Sequence, residues 1–252
     1  MSRRVLVTAG AAGIGRAIAQ AFADAGDRVF TCDVDEAALA QSAREIPGLL
    51  TARCDVSDRA QVVAMVAEAV ERLGGLDILV NNAGIGGPTA PVQAVDPEDW
   101  DRVLAVNLTG TFNVTHNAVP HLIRAGAGVI VNISSVAGRF GYPNRSPYST
   151  TKWGLIGFTK SLSIELGPQN IRVNAILPGA VQGPRMQRVL GERARVSGKT
   201  VAEIEAAALA NQSMKAFVDA ADVGAMAVYL ASDAAKSISG QALSIDGDMQ
   251  HG

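Results

Sequence analysis

Cysteine is almost missing: Cys32 and Cys54 are the only two among 252 residues. Their spacing matches no metal motif, which excludes a disulfide framework or zinc site as the expected scaffold and makes a reducing compartment the default. Buried structural thiols are expected. Aromatic residues are 4% of the chain, and the formal net charge is only -2. The weak charge argues against a broad basic surface for nucleic acid or anionic lipid. No stretch of eighteen apolar residues occurs, and the opening MSRRVLVTAG carries too short an apolar run for a secretory leader. The expectation is a cytoplasmic protein with no membrane span, no nucleic-acid partner and no metal.

What is plentiful is small and apolar. Hydrophobic residues reach 48%, charged residues only 18%, and there are 26 glycines, a composition suited to close packing of helices on a sheet. Short β-branched runs at residues 5–8, 28–33, 49–54, 78–81, 129–134, 171–176 and 243–245 read as seven strands. Segments 13–25, 36–45, 60–73, 98–123, 148–166 and 220–231 read as helices between them. Asp35 and Ser57 are expected to cap the second and third helices, Asp96 with Pro97 opens the fourth, and Pro120 should kink or end it. Strands alternating with crossover helices, buried on both faces, give an α/β doubly wound Rossmann-type fold: one seven-stranded parallel sheet in a single domain over 1–252. Residues 184–217 follow a glycine- and proline-rich strand exit, and read as an inserted lid over substrate.

Two local patterns carry chemistry. Tyr148 and Lys152, in SPYSTTK, are one helical turn apart, so phenol and ammonium can act on the same atom. A free tyrosine, with a pKa of about 10, is a poor base at neutral pH; a fixed neighbouring cation favours the phenolate. The second pattern is VLVTAGAAGIGRAIA, a glycine-rich turn between a strand and a helix. There backbone N–H groups and a helix N-terminus can approach a pyrophosphate. Asp33 closes the next strand eighteen residues after Gly15. Its carboxylate can accept from adenosine ribose hydroxyls and would repel a 2′-phosphate, which favours NAD over NADP. Arg16 reads as a surface or phosphate-side residue, and Asn81 and Asn82 serve either the sheet or the cofactor's ribose.

Taken together the motifs resemble the classical short-chain dehydrogenase/reductase family from Val5 to Gly247. TAGAAGIG resembles its cofactor loop, CDVSD at 54–58 its adenine-side segment, and NNAG at 81–84 its central-strand motif. Asn107 in AVNLTG, Ser135 in NISSVAG, Tyr148 with Lys152, and VNAILPG at 173–179 follow in the expected order. The resemblance implies Tyr148 as general acid/base, Lys152 as the group that lowers its pKa and bonds the nicotinamide ribose, Ser135 as donor to the reacting oxygen, and Asn107 as holder of a water linking Lys152 to solvent. It also implies cofactor contacts from Gly10, Gly13, Ile14, Gly15, Asp33, Asp55, Val56, Asn82, Ala83, Gly84, Pro178, Gly179 and Val181, besides Tyr148 and Lys152, and a homotetramer. The chain departs from the pattern twice. Ala9 replaces the usual first loop glycine, with Gly10 as its expected compensation, and Gly183 stands where a threonine commonly contacts the nicotinamide amide.

The expected activity is therefore NAD-dependent interconversion of a secondary alcohol and a ketone. Arg139, Tyr142, Asn144 and Arg145 fall near the pocket, and 184–217 carries six basic against three acidic residues, which points to a polar or carboxylated substrate. Two rivals share the nucleotide turn: a catalytically idle NAD-binding sensor or scaffold, and a methyltransferase. Neither needs the Ser135, Tyr148 and Lys152 set.

Overall fold

A computed structural model describes residues 2–250. Seven strands, β1 (Arg4–Thr8), β2 (Arg28–Asp33), β3 (Leu50–Arg53), β4 (Ile78–Asn81), β5 (Gly128–Ile133), β6 (Ile171–Pro178) and β7 (Ala242–Ile245), form one sheet in the order β3-β2-β1-β4-β5-β6-β7. Every pairing is parallel. Alternate residues feed opposite layers. Val5 and Val7 pack with Ile18, Phe22, Val223 and Leu230 on one side, while Leu6 packs with Phe30, Val62, Val114 and Leu162 on the other. Burial on both faces explains why these strands read as unbroken apolar runs.

The helices are α1 (Gly13–Asp24), α2 (Glu36–Glu45), α3 (Arg59–Leu73), α4 (Pro97–Leu104), α5 (Gly110–Ala125), α6 (Ser146–Leu166), α7 (Pro184–Ser197), α8 (Val201–Ala210) and α9 (Ala220–Leu230). Because β1 leads outward to β3 and the chain then crosses back to β4, the sheet has its switch point between β1 and β4. A crevice opens there at the carboxyl ends of the strands, the place where ligands bind in such sheets. No described helix is long and apolar enough to cross a membrane.

Four sequence expectations need correction. Asp58, not Ser57, caps α3: its carboxylate accepts from Ala60 and Gln61 N–H, whereas the Ser57 hydroxyl donates back to Asp55. The single helix over 98–123 is instead two helices joined by a π-helical turn at Ala105–Thr109. Pro120 does not end the second of them, which runs on to Ala125 because Val114, Ala118 and Leu122 are buried against the sheet. The expected helix from 148 begins earlier, at Ser146, with Pro147 in the first turn where its missing N–H costs nothing.

A chain of buried side chains fixes the helices that carry the site. Asn81 Nδ2 donates to Asn132 Oδ1 at 2.9 Å and to Thr115 Oγ1 at 3.0 Å, and Asn132 Nδ2 donates to Thr159 Oγ1 at 2.9 Å. β4 and β5 are thereby tied to α5 and α6. Replacing Asn132 by Ala strips Asn81 and Thr159 of a buried partner, at about 1–3 kcal/mol. Urea unfolding should show a lower midpoint with the slope unchanged; an unshifted midpoint would mean the amide chain is dispensable.

Candidate active site

The turn after β1 is shaped by close approach. Ala9 adopts φ +52°, a left-handed conformation that an alanine enters at a cost of about 1–2 kcal/mol. Gly10 does not compensate for it: Gly10 instead lies against the Thr31 side chain, where a Cβ would collide with Oγ1. Gly15 is needed because a Cβ there would meet the Ala9 carbonyl and Asn82 Nδ2. Asn82 spends its amide holding the Thr8 and Ala9 carbonyls, each at 3.0 Å, so its role is to brace the turn. Asn81 likewise belongs to the amide chain between strands.

The N-terminus of α1 has no side-chain cap. Its first-turn N–H groups, beside Gly13 and Gly15, form an anion cradle open to the crevice. Asp33 ends β2 at the rim, one oxygen accepting from Val34 N–H at 2.8 Å and the other from Ala11 N–H at 3.3 Å. Gly179 allows β6 to pass the Asp246 backbone, where a Cβ would stand 2.8 Å from Asp246 Cα. These features fit a dinucleotide: a pyrophosphate at the helix end, a ribose on the acid. Arg16 points elsewhere, paired with Glu45. Gly183 has φ +142°, a conformation essentially restricted to glycine. A threonine could not take its place without strain, and no side chain is available at this position to reach a nicotinamide amide.

The other end of the crevice is built by α6 on β5. Lys152 is buried and donates from Nζ to the Ile133 carbonyl at 2.8 Å. Ser134 Oγ donates to the Lys152 carbonyl at 2.8 Å, and Gly138 is needed there because a Cβ would stand 2.6 Å from that same carbonyl oxygen. Tyr148, one turn earlier, keeps part of its surface open to the cavity. Three cations surround its ring: Arg145 at 5.3 Å from the centroid, Lys152 at 5.5 Å and Arg185 at 5.9 Å. Burial pushes the phenol up, but Lys152, Arg185, a hydrogen-bonding interaction with Ser135 and Arg145 together outweigh it and hold the phenol below its ordinary value. Burial also lowers Lys152, against the opposing pull of the phenolate.

Asn107 sits in the π-helical turn, fully buried. Its Oδ1 accepts from Ile85 N–H at 2.8 Å, while Nδ2 donates to the Ile85 carbonyl and to Thr151 Oγ1, both at 3.0 Å. The amide clamps the loop after β4 to α6, and its polar atoms are engaged with protein partners. It positions Lys152 and Tyr148 from behind.

The crevice opens into a cavity of about 590 Å³. Gly13, Ile14, Gly15, Asp33, Asn82, Gly84, Ser135, Tyr148, Lys152, Pro178, Gly179 and Val181 line it; Gly10, Asp55, Val56, Ala83 and Asn107 do not. Asp55 is half-buried and accepts from Ser57 N–H and Oγ in its own turn, and Val56 packs against Gly110. Of the residues between Ser135 and Tyr148 expected near the pocket, Tyr142 and Arg145 line it while Arg139 and Asn144 do not. The insertion supplies the opposite wall: Leu190, Ala194 and Ile204 form a small core of their own with Met186 and Phe217. Arg185, Arg188 and Arg193 from α7 also reach the cavity. Their surplus charge was visible in the sequence, but their convergence on Tyr148 and Tyr142 needed the fold.

Comparison with known proteins agrees with this geometry. A family model described as enoyl-(acyl carrier protein) reductase matches residues 9–250. A 3-oxoacyl-(acyl-carrier-protein) reductase of Thermotoga maritima is 38% identical over 248 residues, 97% of this chain and 96% of the relative. Among solved structures, an NAD+-bound xylitol dehydrogenase superposes with TM-score 0.95 at 31% identity, covering 97% of this chain and 98% of that one. An actinorhodin polyketide ketoreductase with NADPH gives TM-score 0.94 at 34% identity over 98% of this chain and 96% of that one. By these matches the chain belongs to the short-chain dehydrogenase/reductase family of nicotinamide-dependent oxidoreductases.

Proposed function

We propose that this protein interconverts a secondary alcohol and a ketone with NAD as hydride carrier, and that Tyr148 is its general acid/base. The reading rests on one observation above all: a partly enclosed phenol held below its ordinary pKa by surrounding cations, at the mouth of a crevice that fits a dinucleotide. The dinucleotide supplies or accepts the hydride. For oxidation, the carbinol O–H proton passes to the Tyr148 phenolate, the carbon–hydrogen pair departs as hydride, and the carbon–oxygen double bond forms; reduction reverses each transfer. Ser135 holds the reacting oxygen, and Lys152 lowers the pKa of the phenol and so favours the phenolate.

Gly13, Ile14 and Gly15 would hold the pyrophosphate and Asp33 the adenosine ribose. Asp33 with Arg16 tied to Glu45 supports NAD over NADP. Helices α7 and α8 serve as the lid, with Gly183 before α7 and Gly198 between the two helices, both in backbone conformations that favour glycine. A polar or carboxylated substrate is in keeping with the arginines on the cavity wall. Exposed Phe112 on α5 and Trp153 and Ile164 on α6 support burial of these helices in a homotetramer. A cytoplasmic location accords with the two free thiols. An idle NAD-binding sensor would have no use for the intact proton-transfer set.

Three measurements bear on this reading. In an alcohol and ketone panel followed by NADH absorbance, Tyr148→Phe should lose at least about a thousandfold in kcat, within the range of positioned acid–base catalysis, while calorimetry still detects NADH binding. Substantial retained turnover would remove Tyr148 from its role. Steady-state rates should favour NAD over NADP, and Asp33→Ala should narrow the ratio; a native preference for NADP would reverse the assignment of Asp33.

The pH dependence follows from the lowered phenol. Oxidation needs the phenolate, so its kcat/KM should rise through a pKa below that of free tyrosine and then level off; reduction needs the phenol and should fall across the same window. Lys152→Met removes the largest lowering influence while burial remains, so both limbs should move to higher pH. Unmoved limbs would show that some other group is titrating.

A further inference from the structure

Arg145 is a buried cation of the cavity wall whose compensation is indirect. Its side chain is 4% exposed, yet Nε has no hydrogen-bond partner among the described residues. Nη1 donates to Thr89 Oγ1 at 2.9 Å and comes no closer than 3.8 Å to Glu192 Oε2. Thr89 in turn donates to that carboxylate at 2.9 Å, so the guanidinium meets its only acidic partner chiefly through a hydroxyl. The remaining charged groups nearby, Lys152 and Arg185, are cations. A buried guanidinium ordinarily takes a carboxylate in a close paired geometry; here that position is filled at a distance, by a residue on the lid.

The seat for Arg145 is nevertheless built. Gly86 makes room for it, since a Cβ there would stand 2.8 Å from Nη2. Arg145 is also the residue immediately before α6, which fixes its guanidinium over the ring whose hydroxyl exchanges the proton. An anion on Arg145 would therefore sit only a few bonds from an alcohol carbon at Tyr148. Glu192 is partly exposed, at 36%, and is carried on α7, so it can leave without disturbing the sheet.

We propose that Arg145, flanked by Arg185, is the receptor for a carboxylate on the substrate, and that Glu192 is a stand-in counter-ion which this carboxylate displaces. The substrate is then a short hydroxy acid or its oxo acid, with the acid group close to the reacting carbon. Lid position and substrate charge become linked, because the group displaced from Arg145 belongs to α7. This inference rests on the alcohol–ketone reading for the identity of the reacting group, while the carboxylate site itself does not depend on turnover.

The test therefore has a binding arm and a kinetic arm. In calorimetry with NADH present, butyrate should bind the native protein at least about tenfold more tightly than butyramide, a difference of about 1.4 kcal/mol. Arg145→Met should abolish that preference, and Glu192→Gln should increase it by removing the competing carboxylate. In the kinetic arm, short hydroxy acids should surpass their amides in kcat/KM, with Glu192→Gln lowering KM for the acid but not for the amide. Equal binding of butyrate and butyramide, or a Glu192→Gln variant that binds butyrate more weakly, would overturn the carboxylate receptor. Selective butyrate binding without turnover of any alcohol or ketone would leave the receptor standing and sink the redox reading instead. Turnover of neutral alcohols without selective butyrate binding would do the reverse.

Discussion

Lys152 is a buried ammonium whose one hydrogen bond runs to a backbone carbonyl, at 2.8 Å from Ile133. Taking a charge of that kind out of water is unfavourable, and it persists only where the surroundings hold it firmly. Here the surroundings are the carboxyl end of β5, the Ser134 hydroxyl on the Lys152 carbonyl, and the Asn107 clamp one layer behind. The nearby phenol benefits: its ionised form is the natural counter-charge for the ammonium. On the proposed function, stability is given up at this point so that a weak base becomes a useful one.

The sheet is arranged to make that exchange possible. Parallel strands place their carboxyl ends on one edge, so residues far apart in sequence, from Gly13 to Val181, face a single crevice. The amide chain through Asn81 and Asn132 locks α5 and α6 to the central strands. That lock adds to the hydrogen bonds that Ser134, Lys152 and Asn107 already make around the site, and directed bonds of this kind set geometry more strictly than apolar packing does. The dinucleotide end is held by similar means, with Asn82 bracing the carbonyls of a turn that must remain open to an anion.

Much of this was legible in the sequence because its signals are local. β-branched runs marked all seven strands, and the one-turn spacing of Tyr148 and Lys152 survived into α6. The misreadings share a physical cause in longer-range packing. Nothing local announces the π-helical turn at Ala105–Thr109, whose buried Asn107 is engaged with partners distant in sequence, Ile85 and Thr151. Pro120 reads as a breaker until the buried face of α5 outweighs its missing N–H. Ala9 reads as compensated by Gly10, yet the alanine itself takes the left-handed conformation. The arginines of α7 could be counted but not placed, since only the fold brings Arg185 over Tyr148.

The central claim is that neighbouring cations hold the Tyr148 phenol below the range of an ordinary tyrosine. The chain has only three tyrosines, so a spectrophotometric titration of phenolate absorbance, compared with the same titration of Tyr148→Phe, isolates this one. A titration step below the usual tyrosine range, present in the native protein and missing from the variant, is the predicted result. A difference curve centred at or above that of free tyrosine would contradict the account.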